Sequence, residues 1–177
     1  NYPKIEKNNE GNYFELSQKD FKDVIEKTVF ACSTDDSRPI LKGCLFEIQD
    51  NLLTTVALDG FRMAVVKKDV ESNGNFKAVI PSRTLNEIQR LLDKEDVKVK
   101  VILQKSALFI EVENTTLISR LIEGEFVKYN HILPSNFSNT VTLNKGALLT
   151  SIERASIVAK NDRYNIVKFD IKEEVMT

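Results

Sequence analysis

The chain has 177 residues, a formal net charge of −1, 42% hydrophobic and 29% charged residues. That composition suits a globular domain, or one domain with part of another, and gives no overall basic field for holding nucleic acid, so a basic footprint would have to be local. No apolar run approaches the roughly 18 residues of a membrane-crossing helix, and no membrane partner is expected.

Residues 1–12 are polar and turn-rich and read as a linker arriving from a preceding unit. The spacing of Phe21, Val24, Ile25, Thr28, Val29 and Cys32 at three and four predicts a helix over 17–33. Ser17 is its N-cap, where a hydroxyl accepts from an otherwise unpaired backbone N–H. Strands are predicted over 40–49, 51–58 and 61–68, with turns at Asp50-Asn51 and Asp59-Gly60. An Asp-Gly pair favours a tight hairpin because glycine accepts positive φ. The order then recurs. Phe76 to Ile80 reads as a strand, and Pro81-Ser82 opens a helix with Leu85, Ile88, Leu91 and Leu92 inward. Strands follow near 97–103, 107–113 and 116–122. Cys32 and Cys44 sit in apolar segments without a second ligand pair. They read as buried, reduced thiols of an intracellular protein rather than a disulfide or a metal site.

From Glu123 to Asn139 the pattern lapses, and Gly124, Pro134, Ser135, Asn136 and Ser138 mark a linker. The chain then repeats itself. Leu16 matches Leu143, an offset of 127 residues, and Phe21, Ile25, Glu26, Lys27 and Phe30 match Leu148, Ile152, Glu153, Arg154 and Ile157. Leu45-Phe46-Glu47-Ile48 matches Lys168-Phe169-Asp170-Ile171, predicting a strand there. A period this long exceeds the roughly 20–50 residues of solenoid repeats, so the repeating object is a whole domain. The expected fold class is α+β: each domain is a doubled β-α-β-β-β unit of about eight strands, with two helices packed on antiparallel sheets. The expected divisions are a linker over 1–12, a complete domain over 13–130, a linker over 131–139, and the start of a further domain over 140–177 that would continue beyond Thr177.

Three segments, in order, resemble the bacterial DNA polymerase III beta subunit, the replicative sliding clamp. Arg38-Pro39-Ile40-Leu41-Lys42-Gly43 is similar to that family's first middle-domain strand after the helix. Thr55 to Ala64, with Leu58-Asp59-Gly60-Phe61-Arg62-Met63 at its centre, resembles the family hairpin T-V-A-T-D-G-H-R-L-A. Leu121-Ile122-Glu123-Gly124-Glu125-Phe126, followed by Ile132-Leu133-Pro134, resembles its linker. The resemblance implies the DNA clamp fold, with residues 13–130 as the middle domain. It also implies a homodimeric cytoplasmic ring that encircles double-stranded DNA without reading its sequence. Such a ring tethers the polymerase III alpha subunit, the clamp loader and other replication and repair proteins. It would be non-catalytic, with no catalytic residue, metal or cofactor.

The resemblance also implies a pocket for a partner peptide of the type Gln-Leu-x-Leu-Phe. Leu41, Leu58, Gly60, Phe61, Arg62 and Met63, with Val127, His131 and Ile132 from the linker, would form one wall. The other wall would come from the C-terminal part of the third domain. Leu58 stands where many members have threonine, Phe61 where some have histidine, Val127 where proline is usual and His131 where arginine is frequent. These departures imply a more apolar pocket. Spacing alone leaves the hairpin a plain Asp-Gly turn and His131 a linker residue.

The same resemblance puts helices against DNA, with Arg38, Arg83 and Arg90 as the DNA-facing side chains and Lys160 with Arg163 as further candidates. The helix faces are mixed, however: Lys19, Lys22 and Lys27 alternate with Asp20, Asp23 and Glu26, a pattern usual on solvated surfaces. Two other readings stay open. One is a clamp-fold paralogue that binds partners without encircling DNA. The other is a metal-dependent nuclease or phosphotransferase built on Asp35-Asp36 and Asp59, against which stands the lack of a glycine-rich phosphate loop or a metal-spaced His/Cys set.

Overall fold

A computed structural model describes residues 11–93, 96–104, 106–160, 166–172 and 175–177. The chain divides into two compact units between Ile132 and Leu133.

The first unit runs β1 (Asn12–Ser17), α1 (Gln18–Glu26), β2 (Gly43–Gln49), β3 (Leu52–Leu58), β4 (Met63–Asp69), β5 (Glu71–Ser72), β6 (Phe76–Pro81), α2 (Ser82–Leu91), β7 (Lys98–Gln104), β8 (Ala107–Val112) and β9 (Thr115–Arg120). This is the doubled β-α-β-β-β unit, with the two-residue β5 added. All pairings are antiparallel. The sheets are not one per half, however. Their orders are β5-β1-β7-β8-β9 and β4-β3-β2-β6, so the first strand of each half completes the sheet of the other. Phe14 pairs with Val101, and Phe46 with Ala78.

Both helices turn their apolar stripes to one core shared by the two sheets. Phe21, Val24 and Ile25 of α1 and Leu85 and Ile88 of α2 meet Phe14, Phe46, Ile48, Leu53, Val101, Leu108 and Ile110 there. Phe14, Phe21 and Phe46 form its centre, with ring centroids 6.0–6.2 Å apart and Phe21 edge-on to both others, a favoured aromatic geometry.

The predicted helix over 17–33 is shorter in the structure. Ser17 caps it as expected, accepting from Asp20 N at 3.1 Å, but α1 ends at Glu26 and a 3-10 turn follows at Val29–Ala31. The change falls at Thr28, whose N–H bonds Ile25 O at 3.1 Å rather than Val24 O, while its hydroxyl donates to Val24 O at 2.7 Å, a side-chain bond that competes with the backbone ladder. The predicted strand over 40–49 begins only at Gly43, because Pro39 opens a 3-10 turn, Pro39–Lys42, with φ already set for it. Asp50 and Asn51 both have positive φ, 52° and 63°, as a two-residue turn matching sheet twist requires.

A second apolar cluster lies on the opposite face of the β4-β3-β2-β6 sheet. Leu41, Leu45, Val56, Leu58 and Val79 are covered there by Phe126 and Tyr129. The segment predicted as a patternless linker is thus strapped across this face, held by Tyr129 Oη to Glu47 Oε2 at 2.8 Å and, just before it, by Ile122 N to Val79 O at 2.9 Å. Tyr129 is therefore a structural residue that spacing did not reveal.

In the second unit, Asn144 caps α3 (Lys145–Ala159) by accepting from Ala147 N at 3.1 Å, and β10 (Ile171–Lys172) pairs with β11 (Val175–Met176). The strand predicted over Lys168–Ile171 appears only from Ile171. None of α3 is buried: Leu148 and Ile152, equivalents of the enclosed Phe21 and Ile25, are half-buried.

Candidate functional site

The Asp59-Gly60 hairpin is not a two-residue turn. Leu58 pairs with Met63, so four residues, 59–62, form the loop, and Phe61 and Arg62 leave the predicted strand over 61–68. Asp59 accounts for this. Its Oδ1 accepts from the backbone N–H of Phe61 at 2.9 Å and of Arg62 at 3.1 Å, and its Oδ2 accepts from Arg62 Nε at 3.0 Å. One carboxylate satisfies amides that would otherwise seek strand partners. Those bonds, the Phe61 N–H first, hold the Asp59 carboxyl below its usual range. Gly60 takes φ +96°, a conformation that side chains disfavour.

The loop thereby presents Phe61 with its side chain 100% exposed. Arg62 is drawn the other way, its guanidinium 5.7 Å from the centroid of the Phe30 ring, within cation–π range. Leu58, Gly60, Phe61, Arg62, Met63 and Ile132 together line an open groove of about 160 Å³. Leu41, buried at 3% exposure, packs in the cluster under Leu58 and is floor rather than lining. The groove is smaller than the roughly 300–1,000 Å³ clefts that enclose small molecules. It suits an apolar side chain or two from a peptide.

Of the nine residues expected there, six line the groove and Leu41 supports it. Val127 and His131 do not line it. They stand on a neighbouring cavity of about 400 Å³, beside Leu45, Glu47, Lys77 and Tyr129. Val127 precedes the 3-10 turn Tyr129–His131, His131 is its last residue, and Ile132 follows it.

The basic residues part company. Arg38 Nη1 lies 3.5 Å from where a Cβ on Gly60 would stand, which puts this guanidinium at the groove's edge. Arg83 and Arg90 are exposed on α2, with Arg90 paired to Glu87 at 2.9 Å. On α1, Lys27 is paired to Asp23 at 2.6 Å, and Lys22 donates to Leu92 O at 2.6 Å. Lys160 ends α3 as its cap; Arg163 lies outside the described residues. Asp35 is bonded by the Ser37 hydroxyl and N–H, which lower its pKa, and Asp36 pairs with Lys42. Among the described residues, no three His, Cys, Asp or Glu side chains are grouped to hold a metal ion.

The profile of the DNA polymerase III beta subunit, central domain, matches residues 15–128. The chain belongs to the DNA polymerase III beta subunit family. It is 32% identical over 170 residues to the beta sliding clamp of Halalkalibacterium halodurans, covering 94% of this chain and 45% of that one. It is 33% identical over 178 residues to that of Streptococcus pneumoniae serotype 4, covering 99% and 47%. Its fold superposes on the Bacillus subtilis DNA polymerase sliding clamp with a TM-score of 0.91 at 28% identity, covering 97% and 46%. The chain thus spans about half the length of the beta sliding clamps it matches. The beta-subunit profile covers both the hairpin and the Phe126 strap, so the groove's Leu58–Met63 wall lies within the region that defines the family.

Proposed function

We propose that this chain is part of a DNA sliding clamp, a non-catalytic cytoplasmic ring on double-stranded DNA. Residues 13–130 form its middle domain, 131–139 a linker, and 140–177 the beginning of the third, with 1–12 leading in from another domain. The open apolar face of α3, which repeats the enclosed face of α1, supports that division. The single observation that carries the function is the groove. Phe61 is wholly exposed on a loop fixed by three hydrogen bonds that the Asp59 carboxylate accepts, beside an apolar floor. A fixed, exposed aromatic is what an interaction site needs and what a core does not use. Its occupant is a short segment of the Gln-Leu-x-Leu-Phe type from the polymerase III alpha subunit, the clamp loader or repair proteins, whose apolar side chains enter beside Leu58, Met63 and Ile132. Arg38, which the resemblance would turn to DNA, is assigned to this segment instead, because its guanidinium stands at the groove's edge beside Gly60. Arg83 and Arg90 on α2 face the DNA phosphates, where contact carries no sequence information and permits sliding.

Fluorescence anisotropy of a labelled Gln-Leu-Ser-Leu-Phe peptide with the intact ring tests the groove. Saturable binding that unlabelled peptide displaces is expected, and its failure refutes the assignment. Encirclement is tested separately by retention on nicked circular DNA at high salt. A ring is released by linearising the DNA, and a clamp-fold protein that binds partners without encircling is never retained.

A further inference from the structure

Cys32 and Cys44 take no part in the groove, yet they bracket the segment that carries its edge residue Arg38 and its floor residue Leu41. Cys32 follows the 3-10 turn Val29–Ala31, and Cys44 is the second residue of β2. Both thiols are free, and their Sγ atoms are 3.4 Å apart. Their surroundings differ. Cys44 is wholly buried, with the Thr28 hydroxyl 4.0 Å from its sulfur, whereas Cys32 keeps 8% of its surface exposed. A hydrogen bond from Cys44 lowers the Cys32 pKa against the opposing effects of burial and the Asp59 charge. The Cys32 partner and burial push Cys44 well up. Both thiols are buried, and Cys32 is the less enclosed of the two and the one whose pKa is lowered. Thiolate character and access are what select a cysteine for oxidation.

We propose that Cys32 and Cys44 are a dithiol site that a hydroperoxide converts to an intramolecular disulfide, with Cys32 as the attacking thiol. The Cys32 thiolate attacks the terminal oxygen of the hydroperoxide. An S–O bond forms, the O–O bond breaks, and the leaving oxygen takes a proton to depart as an alcohol, or as water from hydrogen peroxide. Cys32 is then a sulfenic acid. The Cys44 sulfur attacks the Cys32 sulfur; the S–S bond forms, the S–O bond breaks, and the hydroxide leaves as water with the Cys44 proton. Two thiols have lost two electrons and two protons, and the hydroperoxide has been reduced. The sulfurs must close from 3.4 Å to about 2.05 Å. Cys32 stands in extended backbone at the end of a 3-10 turn (φ −66°, ψ 145°), whereas Cys44 lies in β2, paired with Ile80 of β6. The bond encloses residues 33–43, which carry Arg38 and Leu41. Any effect on partner binding rests on the function proposed above, whereas the thiol chemistry does not.

The test treats the full chain with hydrogen peroxide and reads intact mass, free thiols and a tryptic map. Trypsin cuts after Lys42, so the two cysteines fall in different fragments. Loss of both thiols is expected, with the mass of two hydrogens gone, the two fragments joined, and full reversal by dithiothreitol. Oxidised chain with unlinked fragments, or with a linkage only between chains, overturns the proposal. Two variants assign the roles. Cys44→Val is expected to stop with oxygen added at Cys32. Cys32→Ala is expected to leave Cys44 a free thiol at the same dose, and oxidation of Cys44 there at the unsubstituted rate overturns the assignment of the attacking thiol. Should either variant fail to fold, the measurements on the unsubstituted chain still decide the linkage.

Discussion

Replacing Phe61 with alanine separates binding from stability. The side chain is 100% exposed in the free chain, so folding gains nothing from its burial, and the unfolding free energy should move by no more than about 0.5 kcal/mol. Bound peptide changes that balance. A phenylalanine can bury about 150–250 Å². An open groove of about 160 Å³ encloses only one side of the ring, so about 100 Å² is covered at about 25 cal/mol per Å², giving about 2.5 kcal/mol. Fixing the ring costs about 0.5–1 kcal/mol of that. The remaining 1.5–2 kcal/mol corresponds to a Kd about 10–30-fold weaker. Anisotropy with the Gln-Leu-Ser-Leu-Phe peptide measures the affinity and urea denaturation the stability. An unchanged Kd, or a lowered urea midpoint with unchanged Kd, would show that Phe61 does not receive the peptide.

Leu41→Ala should behave oppositely. Leu41 is buried at 3% exposure beneath Leu58, so about 2–5 kcal/mol of stability is lost, visible as a reduced denaturant midpoint. Gly60→Val should strain a loop residue held at φ +96° by about 1–2 kcal/mol and weaken peptide binding as the loop shifts; equal stability and affinity would contradict the loop geometry. Asp59 yields a pH signature. Its folded pKa is depressed by the Phe61 and Arg62 amides, so the loop's contribution is present above the unfolded aspartate pKa and is lost as pH falls through the lower folded value. The Phe61 and Arg62 amide resonances should therefore titrate with a midpoint under about 3.9, and a higher midpoint would refute the bonding. Tyr129 is pushed up to about 12, by burial first and then by its bond to Glu47. Tyr129→Phe should remove that late phenol titration and cost about 1 kcal/mol, read by alkaline absorbance and by urea.

The sequence carried the strand–helix order well because each element had one buried side. The 3.6-residue spacing of Phe21, Val24 and Ile25 and the turns at Asp50-Asn51 are local signals, and the structure keeps them. What was not legible depended on side-chain bonds to backbone. The helix that apolar spacing extended to Ser33 gives way at Thr28, whose hydroxyl bonds Val24 O, and the Asp59 carboxylate bonds the amides of a four-residue loop where a two-residue turn was expected. Tyr129 lay hidden for a different reason: its partner Glu47 is 82 residues away, and no periodicity reports a contact across that distance. The motif resemblance grouped residues that local spacing could not, and in the structure Val127 and His131 line a different cavity from Ile132.

The exchange of first strands between the two sheets sets an order of events for synthesis. As the chain emerges from the ribosome, β1 has no partner for either edge until β5 has appeared, and its main neighbour β7 ends at Gln104. The β2–β4 meander likewise waits for β6. Closing such distant pairs is slow relative to local structure, and the exposed edges in the interval are open to pairing with other chains. The first half of the unit cannot mature ahead of the second, so both halves become stable together when the last strands are in place.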